Sequence, residues 1–97
     1  MTTLVLDTEP VAINVIFQEN VLMVHLGDDR MLSIPLSWYP RLLNASEEER
    51  KSWRLLGGGY AIEWPTLDEH IGVEGLLAGR RSGESQASLK TWLASRR

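Results

Sequence analysis

Residues Val11–Leu26, VAINVIFQENVLMVHL, decide the fold. Val11, Ile13, Val15 and Phe17 fall on every second position, and the run is rich in β-branched side chains. That is the pattern of a strand with one face buried. Glu19-Asn20 interrupts the alternation and Val21–Leu26 resumes it. A two-residue loop at Glu19-Asn20 sets the register of a hairpin. Phe17 then faces Leu22, Val15 faces Val24 and Ile13 faces Leu26, all apolar with apolar. On the opposite face Asn14 falls beside His25 and Ile16 beside Met23.

The next turn is Gly27-Asp28-Asp29-Arg30, followed by Met31–Ile34. A two-residue loop would set Ser33 against Val24 and waste the core face. A three-residue loop sets Leu32 against Val24 and Ile34 against Leu22. Such loops combine a type I turn with a left-handed residue, and Asp29 is the residue expected there. Pro35 ends the third strand by removing a ladder donor.

Downstream, Pro40 suits the first turn of a short helix running to Asn44. Ser46 and Glu49 have the spacing of a capping box, with Glu47 and Glu48 where the helix dipole favours acids. The helix so begun is predicted to reach Leu56 and stop at Gly57-Gly58-Gly59. Tyr60–Trp64 alternates again, with Tyr60, Ile62 and Trp64 inward and Ala61 and Glu63 outward. Ile71–Gly79 carries Val73, Leu76 and Leu77 at helical spacing. Gly79–Glu84 reads as a linker. Ser85–Ser95 reads as an amphipathic helix with Leu89, Trp92 and Leu93 on one stripe.

The expected architecture is therefore α+β: a three-stranded antiparallel meander, a helix, a fourth strand, a short helix and a C-terminal amphipathic helix. Residues 1–80 form the domain and 81–97 a basic helical extension. The expected core is Val11, Ile13, Val15, Phe17, Leu22, Val24, Leu26, Leu32, Ile34, Tyr60, Ile62 and Trp64.

Ninety-seven residues make one small domain, and 43% hydrophobic with 24% charged residues is ordinary for a folded protein. No apolar run is long enough to span a bilayer. MTTLVLDTEP lacks the basic start and apolar stretch of a secretory signal, so the expected compartment is the cytoplasm. There is no cysteine, hence no disulfide and no thiolate chemistry. Net charge is −3, yet residues 71–97 hold two acids against five bases, Arg80, Arg81, Lys90, Arg96 and Arg97. That segment is the candidate surface for nucleic acid, although it lacks interleaved aromatic or glycine motifs.

The candidate chemistry is thin. Gly57-Gly58-Gly59 lacks the Lys-Ser/Thr of a phosphate loop and leads into a strand. Asp68-Glu69-His70 supplies ligand atoms, but three consecutive residues point in different directions and seldom converge on one metal. His25 sits mid-strand without a nucleophile or acid at supporting spacing. Glu63 is placed to pair with His25 or with a cation on its own face. No catalytic, cofactor-binding or metal-binding residue is nominated, and a non-enzyme is expected. Four tryptophans are many for this length. Trp53 and Trp64 are placed for core packing, while Trp38 and Trp92 lie at a turn and on the last helix.

The strings LGDDRMLSIPLSWYPRLLNAS and GGGYAIEWPTLDEHIGVEGLLAG resemble the bacterial domain-of-unknown-function 2442 (DUF2442) family. That family shows an Asp-Gly-Arg hairpin turn, a Pro-Leu-x-Trp-Tyr-Pro-Arg-Leu segment, a glycine-rich strand ending in Trp-Pro, an acidic triplet and a Leu-Leu-x-Gly ending. Here these are Asp28-Asp29-Arg30, Pro35 to Leu42, Gly57 to Pro65, Asp68-Glu69-His70 and Leu76 to Gly79. Asp29 replaces the usual glycine, and His70 replaces the last acid. The resemblance spans about residues 10–80. It implies a small α+β domain with no established catalytic residues. It also implies gene neighbours of the domain-of-unknown-function 4160 family, in an arrangement similar to toxin–antitoxin pairs. Some members carry an added helix-turn-helix domain. The segment after residue 80 has room for one helix, so that module is not expected here.

The leading functional expectation is a non-enzymatic protein-binding module, antitoxin-like, with a small neighbouring protein as partner. The alternative is a small nucleic-acid-binding regulator. The outer face of the sheet locates the first. In the register above it carries Ala12, Asn14, Ile16, Gln18, Val21, Met23, His25, Met31, Ser33, Ala61 and Glu63. Ile16, Val21, Met23 and Met31 form an apolar cluster where a water-facing sheet normally turns polar. The expected cover is the terminal helix through Leu89, Trp92 and Leu93, or a second protein; a homodimer with the helix contributing is favoured.

Overall fold

The computed structural model describes residues 10–96. Three antiparallel strands come first: β1 (Ala12–Gln18), β2 (Val21–Leu26) and β3 (Met31–Pro35), in the order β1-β2-β3. Phe17 pairs with Leu22, Val15 with Val24, Leu32 with Val24 and Ile34 with Leu22, as the loop lengths dictate. Asp29 is left-handed at φ 73°, and so is the first loop residue of the preceding hairpin, Glu19 at φ 56°.

One register assignment is corrected. Leu26 faces Ala12 and not Ile13, because the ladder shifts between Ala12 and Asn14. A bulge of this kind inserts one residue and reverses the facing of everything beyond it. Ala12 is therefore buried, and Ile13 is 50% exposed.

A single 3-10 turn (Leu36–Trp38) leads to α1 (Pro40–Leu43), then α2 (Glu47–Lys51). The capping box is complete: the Ser46 hydroxyl accepts the Glu49 N–H, and the Glu49 carboxylate accepts the Ser46 N–H. The helix does not reach Leu56. The Ser52 N–H and hydroxyl both donate to the Glu49 carbonyl and close it. Residues Arg54–Leu56 form β4, which pairs with β5 (Ala61–Trp64). As an extended segment, Trp53 and Leu55 share one face and pack on the core, while Arg54 reaches across to Glu63. A helix would have left these residues a narrow apolar face.

The triple glycine is thus a strand-to-strand turn, with φ of 54°, 76° and 108°. Tyr60 belongs to this turn and lays its ring over Gly57, so it is 52% exposed and not in the core. A second 3-10 turn (Pro65–Leu67) leads to β6 (Glu69–Gly72), a strand that the sequence pattern misses, then α3 (Val73–Leu77). The second sheet has the order β4-β5-β6. After an irregular stretch, α4 (Gln86–Ala94) is capped by the Ser85 hydroxyl.

The two sheets meet over one core that includes Leu22, Val24, Leu36, Leu42, Ile62 and Trp64. Trp64 sits at their junction. Its ring meets Phe17 edge-on at 6.1 Å, and its indole N–H donates to the Arg50 carbonyl at 3.0 Å. The Ala12 N–H donates to the Gly59 carbonyl, tying the start of β1 to the glycine turn.

Candidate functional site

The outer face of the meander is assembled by pairing. Ile16 lies opposite Met23, and His25 opposite Met31, which places Met31 diagonally beside Met23. Val21 precedes Met23 by two residues on the same face. Ile16 is 43% and Met31 44% exposed, with Val21 and Met23 half-buried. Exposed Asn14 and Ser33 and half-buried His25 border the cluster. His25 Nε2 is 3.9 Å from the Asp29 carboxylate. Two of the residues expected to complete this face belong elsewhere: Ala61 is buried, and Glu63 pairs with Arg54 and faces His70 in the second sheet.

The terminal helix of the same chain does not cover the cluster. Trp92 packs against the core and is overlain by the Arg41 guanidinium at 5.1 Å and the Arg96 guanidinium at 4.4 Å. Arg96 forks onto Glu49 of α2, and Ser88 donates to Glu84. These contacts bind α4 to the helical side of the domain. Leu89 is half-buried there and Leu93 exposed. The stripe was legible in the sequence; the cations that select its docking surface come from distant segments.

The basic residues are put to mixed uses. Arg96 is neutralised by Glu49, and Arg81 stacks on Trp38 at 4.6 Å. Arg80 and Lys90 are exposed, and Arg97 lies outside the described residues.

Sequence reasoning missed a polar junction centred on Arg41. Its Nε and Nη2 fork onto Glu84 at 2.7–3.0 Å, and Nη1 donates to the Leu67 carbonyl at 3.0 Å. Glu84 is held below the usual carboxylate range by Arg41 above all, then by the Ser88 hydroxyl. A neighbouring cleft of about 210 Å³ is lined by Tyr39, Glu69, His70, Arg80 and Arg81 among others. Burial pushes the Glu69 carboxyl up; burial and the Glu69 charge push the Tyr39 hydroxyl up. Tyr39 donates its proton to the Arg80 carbonyl at 2.8 Å, so it is spent on holding the strap after α3. Among the described residues no three metal-ligating side chains converge. No local motif signals this junction, because its contacts join segments 26–43 residues apart.

Two solved structures resemble this one. A crystal structure of a protein of unknown function from Rhodospirillum rubrum aligns over 84% of this chain and 99% of its own, at 26% identity and a TM-score of 0.68. A solution structure of an uncharacterized protein from Chromobacterium violaceum aligns over 89% of this chain and 75% of its own, at 24% identity and a TM-score of 0.65. The second match speaks to fold alone. No curated protein matches. The family model for proteins of unknown function, DUF2442, covers residues 12–82, from the first residue of β1 to the strap that follows α3, so this chain belongs to the DUF2442 family.

Proposed function

We propose that this chain is a non-enzymatic protein-binding module, antitoxin-like in role, which seats a small neighbouring protein on the outer face of its meander. The observation that carries the reading is an apolar cluster bordered by polar side chains that the chain's own terminal helix leaves uncovered. Contiguous apolar surface with a polar rim is the usual composition of a protein interface. The antitoxin-like part rests on the gene arrangement that the family resemblance implies.

The test is co-purification of the tagged chain with the product of its adjacent gene, beside a Met23→Asp variant. The aspartate puts a charge in the centre of the cluster without touching the core between the sheets. Retention by the wild type and loss by the folded variant support the reading; equal retention by both sinks it. A salt titration of DNA affinity tests the nucleic-acid alternative, since phosphate contacts give a steep salt slope. That alternative is the weaker one, because Glu49 already occupies Arg96.

A further inference from the structure

Among the described residues, strand β1 is the edge of its sheet. Ala12–Gln18, AINVIFQ, contains no charge and no proline. Edge strands in stable monomers are blunted by lysine, proline or a covering element, because their free N–H and C=O groups template another strand. In β1 the regular stretch is bounded by the bulge at Ile13 and by the left-handed Glu19, leaving residues 14–18 with Ile16 at the centre.

The free groups can be named. A two-residue loop makes Gln18 and Val21 a hydrogen-bonded pair, and the alternation of antiparallel ladders makes Ile16–Met23 the next such pair. Val15 and Phe17 therefore turn their backbone N–H and C=O groups away from β2. Among the described residues no turn, side chain or other strand takes them. They face a groove of about 520 Å³ between β1 and α2, whose walls carry Glu19 and Glu47 against Arg50 and Lys51.

We infer that the occupant of this edge is β1 of a second copy, paired antiparallel about a two-fold axis at Ile16. Val15 then exchanges both hydrogen bonds with Phe17 of the other copy, and Phe17 with its Val15. That register uses the free groups of both strands and stays between the two interruptions. The two Ile16 side chains meet in a non-hydrogen-bonded pair, where cross-strand side chains approach most closely. Two acids and two bases per groove suit a self-complementary partner and favour neither an acidic nor a basic peptide. The product is a continuous six-stranded sheet, β3-β2-β1-β1-β2-β3, which joins two outer faces without covering them. The inference does not depend on the neighbouring-protein reading.

Ile16 is exposed, so charged replacements leave the monomer fold intact. Sedimentation of the wild type should show a dimer. Ile16→Lys and Ile16→Glu should each weaken it by about tenfold or more, because like charges then face each other across the axis. An equimolar mixture of the two variants should restore a mixed dimer, detected by native mass spectrometry. Met23→Asp, on the central strand, should leave the dimer intact even where it abolishes capture of the neighbour. The inference is overturned by a wild type that stays monomeric at its highest soluble concentration. A mixture that does not recover overturns it as well. So does a dimer broken by Met23→Asp and not by Ile16→Lys, since the copies would then meet face to face.

Discussion

Glu49 holds Arg96 in a fork of two hydrogen bonds, 2.6 and 2.9 Å long, across 47 residues of sequence. The same carboxylate accepts the Ser46 N–H at 2.8 Å. One side chain thus closes the N-terminus of α2 and anchors the end of α4. Arg96 first, and the Ser46 N–H next, draw the Glu49 carboxyl from the ordinary 4.5 down to about 2.

The lowered value makes the docking of α4 acid-sensitive. A carboxyl with a folded pKa below its unfolded pKa adds stability above the unfolded value and loses it as pH falls through the folded one. The contribution is complete above about pH 4.5 and declines toward about pH 2. The pair is partly solvated, so solvent screening keeps its contribution small. Hydrogen exchange of the α4 amides should accelerate over that window, relative to β2. Glu49→Gln should flatten this dependence while keeping the capping box, in which Gln serves as well as Glu. An α4 whose relative protection is the same at both ends of the window would refute it.

Arg41 is the more costly residue to lose. Its side chain and that of Glu84 are 16% and 9% exposed, and the bond between them is a two-point fork. Arg41→Ala strands the Glu84 carboxylate and removes the cover from Trp92, which should cost about 2–3 kcal/mol. Arg41→Lys should recover only part of this, because an ammonium cannot match the fork. Urea unfolding of Arg41→Ala, Glu84→Gln and the double variant should show coupling of more than about 1 kcal/mol. Additive costs would mean that the pair is ornamental.

The meander was legible because its code is local. Two loop lengths and one alternating pattern specify Phe17–Leu22, Val24–Leu32 and the left-handed Asp29 without reference to the rest of the chain. The capping box at Ser46 was legible for the same reason. The end of its helix was not. Trp53 and Leu55 carry a period-two signal only two positions long, and what makes Arg54–Leu56 a strand is β5, whose Glu63, Ile62 and Ala61 pair with Arg54, Leu55 and Leu56. The strand Glu69–Gly72 buries only Ile71 fully and has no pattern of its own. The outer apolar cluster could be named in advance, whereas the docking of α4 could not. It is decided by Arg41 and Glu49, neither of which belongs to an apolar stripe.

The glycine turn offers a paired test. Gly58 has φ 76° and open space where a Cβ would lie, so Gly58→Ala should cost only the left-handed penalty of about 1 kcal/mol. Gly59 has φ 108°, and a Cβ there would press into the Ala12 carbonyl oxygen, breaking the tie between β1 and the turn. Gly59→Ala should therefore cost at least about 2 kcal/mol. Thermal melts of the two variants decide it, and equal shifts would show that the Ala12–Gly59 contact does not hold the sheets together.

The bulge makes a prediction that a regular strand would reverse. In an unbroken ladder Ile13 would face Leu26 and lie in the core beside Val15, with Ala12 in water. With the register shifted, Ala12 is buried and Ile13 is half in solvent. Ile13→Thr keeps the β-branch and adds a hydroxyl to an exposed position, so its effect should stay within about 0.5 kcal/mol. Ala12→Asp places a charge at a position only 1% exposed, directly opposite Leu26, and should cost about 3 kcal/mol or unfold the domain. Denaturant midpoints separate the two arrangements. A severe loss from Ile13→Thr together with a mild one from Ala12→Asp would restore the unbroken register. It would also shift the bound that places the centre of the β1 edge at Ile16.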